Sequence, residues 1–279
     1  MNHPALARYP LALPGYSALQ VLHESENAII VLATAPSGQA VVIKRFKFNA
    51  SKLDKYLVDE FLMESWALGL VAQRGLVRPI DAGLSDGMLY MMMEYVPGNT
   101  LRRHLALMPP PSLEQALQWF TEITVALGEI HGIGLLHQDL KTSNILVRSD
   151  ESLALLDFGL ETRLLVAAGF IREDEIYCTP YYISPERIMG DPPDESADLY
   201  ALGVILYELL VGHKPYESKS LAELLKKHAV APIPQLPAER HAYQPLINGL
   251  LAKFPENRLQ STDIVVRLLQ EMGAGKIVK

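Results

Sequence analysis

Residues 135–147 read LLHQDLKTSNILV, and residues 153–160 read LALLDFGL. Asp139, Lys141 and Asn144 fall within six positions of the first stretch, and Asp157 sits in the second. Apolar, strand-like runs border both polar clusters. Ionisable groups in such surroundings cost free energy unless they are partnered or have work to do. One aspartate alone reads as a turn or cap residue. The joint pattern reads differently. Carboxylates and an amide near strand ends suit a hard cation such as Mg²⁺, which takes oxygen ligands. A carboxylate so placed can orient a hydroxyl nucleophile, and a lysine two residues away can neutralise charge on a transferring phosphoryl group.

The chain around these clusters is 279 residues long, enough for one large domain or two lobes. Its net charge is −7, and Lys and Arg never run beyond two together, which argues against a nucleic-acid surface or a polybasic membrane patch. A single cysteine, Cys178, excludes an internal disulfide and fits a reducing compartment such as the cytoplasm. The N-terminal stretch MNHPALARYPLALPGY is broken by prolines and lacks a signal-peptide layout. The most apolar helix candidate, 199–212, is too short to span a bilayer and contains Glu208.

Upstream of the clusters the pattern is mostly strand-like. Residues 16–22, 28–34 and 40–46 are β-rich, and a helix is expected from about Ser51 to Ala72. Two further strands, LVRPIDAGL and MLYMMMEYV, flank the turn Ser85-Asp86-Gly87. After Val96-Pro97-Gly98 the character becomes helical. Ser112 followed by Gln115 is a capping-box pattern, and Leu113, Leu117, Phe120, Ile123, Leu127 and Ile130 mark one apolar face. Short strands are expected at NILVR and LALLDF, and helices near 198–211, 220–228, 243–253 and 261–271.

Taken in order, these segments resemble the eukaryotic-type protein kinase family, in its serine/threonine branch. VVIK ends in Lys44, like the lysine of the family's third strand, and ESWALGLV opens with Glu64, its expected ion-pair partner 20 residues on. MMMEYV resembles the strand and hinge that hold adenine, with Met93 as gatekeeper and Glu94 to Val96 as hinge. HQDLKTSN resembles the catalytic loop and DFG at 157–159 the metal-binding triplet. SPE at 184–186 stands where APE is common, DLYALGVILYELL resembles the central buried helix led by Asp198, and Arg258 of PENRL is the expected partner of Glu186. Lys141 together with Thr179 before Pro180 points to the serine/threonine branch.

The resemblance covers about residues 16 to 271 and implies an α+β, bilobal fold. Residues 1–96 would form a small antiparallel β-sheet lobe with one main helix, and residues 97–279 a larger helical lobe. It implies ATP and Mg²⁺ as cofactors and protein substrates as partners. Asp139 would act as base on the acceptor hydroxyl, Lys141 would stabilise the γ-phosphoryl group, and Asn144 and Asp157 would hold Mg²⁺. Lys44, positioned by Glu64, would grip the α- and β-phosphates. Leu22, Ile30, Val42 and Leu146 would enclose the adenine, though each also reads as ordinary core. Leu68, Ile80, His137 and Phe158 would form a stacked column.

Three departures stand out. The family expects G-x-G-x-x-G at 23–28, whereas the chain reads HESENA, with His23, Ser25 and Ala28 in the glycine positions and glutamates at 24 and 26. Glycine there lets backbone N–H groups approach phosphate, so a stiffened lid with its glutamates turned outward is expected, or simple drift in a loop whose work is shared. Val42 stands where alanine is usual. Gln138 replaces the arginine that receives an activation-loop phosphate, and no Ser or Thr occurs from Arg163 to Cys178. The competing reading is a pseudokinase, a nucleotide-binding scaffold with weak or no transfer. A small-molecule phosphotransferase is disfavoured by Lys141, SPE, Arg258 and the helix led by Asp198.

Overall fold

Alternation along one strand decides how the N-terminal part is built. The structure, a computed structural model, describes residues 4–8, 10–71, 75–170 and 179–273. It contains two compact units, Met1–Pro97 with Leu160–Glu175, and Gly98–Gly159 with Ile176–Lys279.

In the first unit a short helix α1 (Pro4–Arg8) precedes strands β1 (Ser17–Glu24), β2 (Ala28–Thr34) and β3 (Ala40–Asn49). Helix α2 (Lys55–Val71) and strands β4 (Pro79–Ser85) and β5 (Met88–Glu94) follow. The strands form one antiparallel sheet in the order β1-β2-β3-β5-β4. The register pairs Ile30 with Lys44 and Leu32 with Val42 on one side of β3, and Met91 with Lys44 and Met93 with Val42 on the other. Paired residues share a face, so Ile30, Val42, Lys44, Met91 and Met93 all lie on one side of the sheet.

The opposite side is covered by the chain's own N-terminal segment. Leu11 is buried with Ala33, Val41, Ile43 and Met92, and Leu13 and Tyr16 pack against them. Leu6 packs on Ile29 and Val31. Arg45, 1% exposed, extends from this face and donates from Nη1 to the Leu11 carbonyl at 2.7 Å and from Nη2 to the Ser85 carbonyl at 3.3 Å. Ser85 Oγ in turn donates to the Ala12 carbonyl at 2.6 Å. Burial lowers the Arg45 guanidinium from its ordinary value, with Asp86 acting the other way.

The second unit opens at Gly98, where a Cβ would lie 2.3 Å from the Val147 carbonyl oxygen, so only glycine allows that approach. β6 (Asn99–Thr100) leads into α3 (Leu101–Leu107) and the long α4 (Leu113–Gly132). Ser112 caps α4, its side chain accepting from Gln115 N–H at 3.1 Å. β7 (Ile145–Val147) and β8 (Leu153–Leu155) complete a three-stranded sheet with β6.

The chain then returns to the first unit through α5 (Thr162–Ala167). The sequence reading drew two contiguous lobes. Residues 160–175 depart from that division because Arg163 Nη1 donates to both carboxylate oxygens of Glu60 of α2, at 2.6 and 2.7 Å, and the Phe170 ring packs at a tilt on Phe48, 5.9 Å between centroids. Tyr177 and Cys178 lie outside the described residues.

The remainder is helical, with α6 (Pro185–Ile188), α7 (Glu195–Val211), α8 (Leu221–Val230), α9 (Gln244–Leu250) and α10 (Thr262–Glu271). α7 is apolar nearly all round and is buried from Asp198 to Leu210, as a helix central to its unit must be. Among the described residues, no helix is long and apolar enough to cross a membrane.

Candidate active site

The loop between α4 and β7 carries the polar cluster, and α7 holds it from below. Asp198, 3% exposed, accepts from the backbone N–H of His137 at 2.8 Å, from that of Gln138 at 2.9 Å and from His131 Nε2 at 2.9 Å. A buried carboxylate with three donors is satisfied, and it fixes a backbone that needs fixing. Gln138 has φ +62°, the left-handed region that non-glycine residues enter only at a cost. With its N–H bound by Asp198, the Gln138 side chain is left exposed.

Beyond that turn, Asp139 collects three side chains. Its Oδ2 accepts from Lys141 Nζ at 2.5 Å and from Asn144 Nδ2 at 3.0 Å, and its Oδ1 accepts from the Thr179 hydroxyl at 3.1 Å. Lys141 also donates to Thr179 Oγ1 at 2.9 Å. A carboxylate, an ammonium and an alcohol thus meet within hydrogen-bond reach.

Asn144 spends its amide nitrogen on Asp139, on the backbone oxygen as well as the side chain. Its carbonyl oxygen is therefore the end that a hard cation would take. Leu156 N–H donates to the backbone carbonyl of Asn144 at 2.9 Å, which ties the segment leading into Asp157 to the Asn144 backbone. Asp157 has φ +56°, and the next residue, Phe158, packs on His137 with ring centroids 5.1 Å apart. Burial pushes the His137 imidazole below its ordinary value, against the pull of Asp198 and Asp139. The donor set of Asn144 and Asp157, an amide and a carboxylate oxygen, fits Mg²⁺.

The residues expected from the sequence to face a nucleotide divide between the two units. In the first, Ile30, Val42 and Lys44 share the face defined above, Leu22 is 44% exposed, and Glu94 and Val96 are half-buried at the end of β5. Leu146 is half-buried in the second. Leu68 is fully buried, whereas Ile80 is 43% exposed. Lys44 is itself buried, its ammonium 5.7 Å from the Phe46 ring centroid. Burial pushes the Glu64 carboxyl up, Glu60 adds to this, and Arg163 acts against it. Arg163 was not singled out in the sequence, since a lone arginine in a segment too short to read as a helix carries no pattern.

The HESENA tip closes without glycine. Ser25 N–H bonds the Ala28 carbonyl at 2.9 Å, Ser25 Oγ donates to Asn27 Oδ1 at 2.6 Å and accepts from Ala28 N–H at 3.1 Å. No residue from 23 to 28 has positive φ, so nothing in this turn calls for glycine. Lys47 Nζ binds Glu24 Oε1 at 2.7 Å and the Ser25 carbonyl at 2.6 Å. Lys47 is three positions from Lys44 and so lies on the opposite face of β3, which draws Glu24 away from the Lys44 side. Replacing Ser25 and Ala28 by glycine is therefore expected to destabilise the protein by roughly 1–2 kcal/mol, from lost hydrogen bonds and added chain entropy. Urea unfolding measures this, and a more stable double variant would contradict a turn held by its own side chains.

Glu186 and Arg258 form a bidentate pair at 2.8 and 2.9 Å. Burial raises the Glu186 carboxyl, but the hydrogen bonds and charge of Arg258 outweigh it, and the net shift is downward.

Comparison with known proteins accords with this geometry. Residues 17–268 match the family described as protein kinase domain. The chain belongs to that family. It is 30% identical over 264 residues to the serine/threonine-protein kinase PkaB of Streptomyces coelicolor, covering 91% of this chain and 62% of the relative. It is 28% identical over 253 residues to the serine/threonine-protein kinase PrkC of Bacillus subtilis, covering 89% and 39%. A probable serine/threonine-protein kinase PknB of Lactococcus lactis is 29% identical over 222 residues, covering 78% and 35%. The chain thus spans well under half the length of the last two.

Proposed function

We propose that the chain is an ATP-dependent serine/threonine protein kinase, transferring the γ-phosphoryl group of ATP to hydroxyls on protein substrates. The observation that carries this reading is the Thr179 hydroxyl at 3.1 Å from Asp139, with the Lys141 ammonium bonded to both. An alcohol already sits where an acceptor hydroxyl would give up its proton. In this reading Asp139 orients that hydroxyl, and Lys141 offsets the negative charge that develops as the oxygen attacks. Asn144 and Asp157 would hold Mg²⁺, which supplies charge neutralisation at the phosphates. Lys44 would contact the α- and β-phosphates, and Leu22, Ile30, Val42 and Leu146 would enclose the base beside the backbone of Glu94 to Val96.

The Glu60–Arg163 pair beside Glu64 favours a second reading, a nucleotide-binding module that does not transfer phosphate. Incubation with γ-labelled ATP, Mg²⁺ and a generic protein acceptor separates the two, with thermal melting followed in parallel. Label on serine or threonine is the expected result. An ATP-dependent rise in melting temperature without any label would select the second reading.

A further inference from the structure

An open pocket in the second unit, about 480 Å³ in volume, is lined by Arg102, Tyr181, Lys214, Glu217, Ser218 and Lys219. Three cations face one carboxylate there, in a chain whose net charge is −7. Lys214 is committed to Glu208 at 2.8 Å and lies over the rings of Tyr181 and Tyr182, at 5.4 and 5.6 Å. Arg102 and Lys219 are exposed and have no carboxylate partner among the described residues. Glu217 shares the lining but forms no ion pair with either among the described residues, so both charges face the mouth of a concave surface.

The pocket adjoins the acceptor site. Tyr181 follows Thr179, the residue hydrogen-bonded to Asp139, by two positions, a span of at most ~7 Å. The next residue, Tyr182, bonds Thr142 of the Asp139 loop at 2.9 Å and Glu208 at 2.8 Å, and Glu208 holds Lys214. One hydrogen-bonded chain therefore links the loop bearing Asp139 to the pocket wall.

We infer that this pocket is an anion subsite for the protein substrate: Arg102 and Lys219, beside Lys214, receive a carboxylate or phosphate carried on the peptide a few residues from the acceptor hydroxyl. The inference rests on the kinase reading and adds a substrate class to it. Arginine offers a planar fork to either anion, and lysine a point charge. An extended peptide advances about 3.3 Å per residue, so the anionic side chain would lie roughly two to four residues from the acceptor. A phosphorylated residue, with its greater charge, would gain more than an acidic one.

The test uses fluorescein-labelled peptides of neutral residues around one central position. Asp, phosphoserine, Gln or Lys is placed two, three or four residues to either side. With serine at the centre, kcat/KM is read; with alanine there, binding is read by fluorescence anisotropy, which needs no transfer. The expected result is a preference of about tenfold or more for Asp or phosphoserine over Gln, the size of one charge-assisted interaction, shrinking as NaCl is raised. Arg102→Glu with Lys219→Glu should abolish that ratio and favour the Lys peptide. A larger gain for phosphoserine than for Asp would identify previously phosphorylated proteins as the substrates, and the reverse would identify acidic ones. Equal binding of Gln, Asp and phosphoserine peptides would overturn the inference, even if the neutral serine peptide is phosphorylated and the kinase reading stands. Charge-selective binding without any phosphorylation would support the subsite and sink the transfer reading instead.

Discussion

Asp139→Asn is expected to lower phosphoryl transfer by about 10²- to 10⁴-fold, the range typical of a general base, while ATP binds nearly as before. The cause is local. Asp139 Oδ2 accepts from two donors, Lys141 and Asn144, and Oδ1 accepts from Thr179. An asparagine keeps its oxygen toward the two nitrogen donors and turns its NH₂ toward the Thr179 hydroxyl, which can accept as well as donate, so the contacts survive while the basic oxygen facing the hydroxyl is replaced by a donor. The carboxylate that would take the acceptor proton is lost, and Lys141 loses the charge beside it. Initial rates under saturating ATP, with ATP affinity by calorimetry, measure the two halves of this expectation. Transfer by the variant at the wild-type rate would remove Asp139 from the chemistry.

Arg258→Ala costs about 3–5 kcal/mol of stability at pH 7, the range for removing one partner of a buried ion pair. The guanidinium side chain is fully buried and Glu186 nearly so. Besides Glu186, Arg258 donates to the backbone carbonyls of Ala252 and Ser196, and those acceptors are stranded with the carboxylate. The pH dependence follows from the depressed Glu186 carboxyl. In the wild type its contribution is present above the unfolded carboxylate value of about 4.3 and is lost as pH falls through the folded value. In the variant burial is no longer opposed by Arg258, so the carboxyl moves up from its wild-type position and protonation relieves part of the penalty. The gap between the two proteins is widest near neutrality and narrows in acid. Urea unfolding at pH 7 and pH 4 gives both quantities, and a gap under about 1 kcal/mol at pH 7 would show that the pair supports little. Arg258→Met combined with Glu186→Leu recovers much of the loss, because an apolar pair leaves no charge uncompensated.

Features set by local pattern were legible in the sequence. β-rich composition located β1 to β3, the cap at Ser112 is formed, and the family resemblance, rather than any local rule, paired Glu186 with Arg258 across 72 residues. The expected helices near 198–211, 220–228 and 261–271 correspond to α7, α8 and α10, and the one at 243–253 is shorter, ending at Leu250. α3, α5 and α6 were not read, being seven, six and four residues long, too short for periodicity to register. Contacts set by tertiary placement were illegible. Asp198 was visible as the head of a buried helix, but its bonds to the N–H groups of His137 and Gln138 depend on how α7 meets a loop 60 residues earlier. The glycine-free tip was readable as stiff, yet only the Ser25 and Lys47 bonds give the cause. Arg163 draws 160–175 into the first unit by a pairing with Glu60 that no spacing rule supplies.

The strap of residues on the back of the β-sheet bears on how the domain is wired to anything joined ahead of it. The family pattern begins at residue 17, but the sheet's rear layer is made by Leu6, Leu11 and Leu13. A boundary drawn at the first strand would remove the Leu11 carbonyl and leave the Arg45 guanidinium, 1% exposed, without its shortest hydrogen bond. A polypeptide attached in front of this segment is coupled to the sheet through a clamped lead rather than a loose tether.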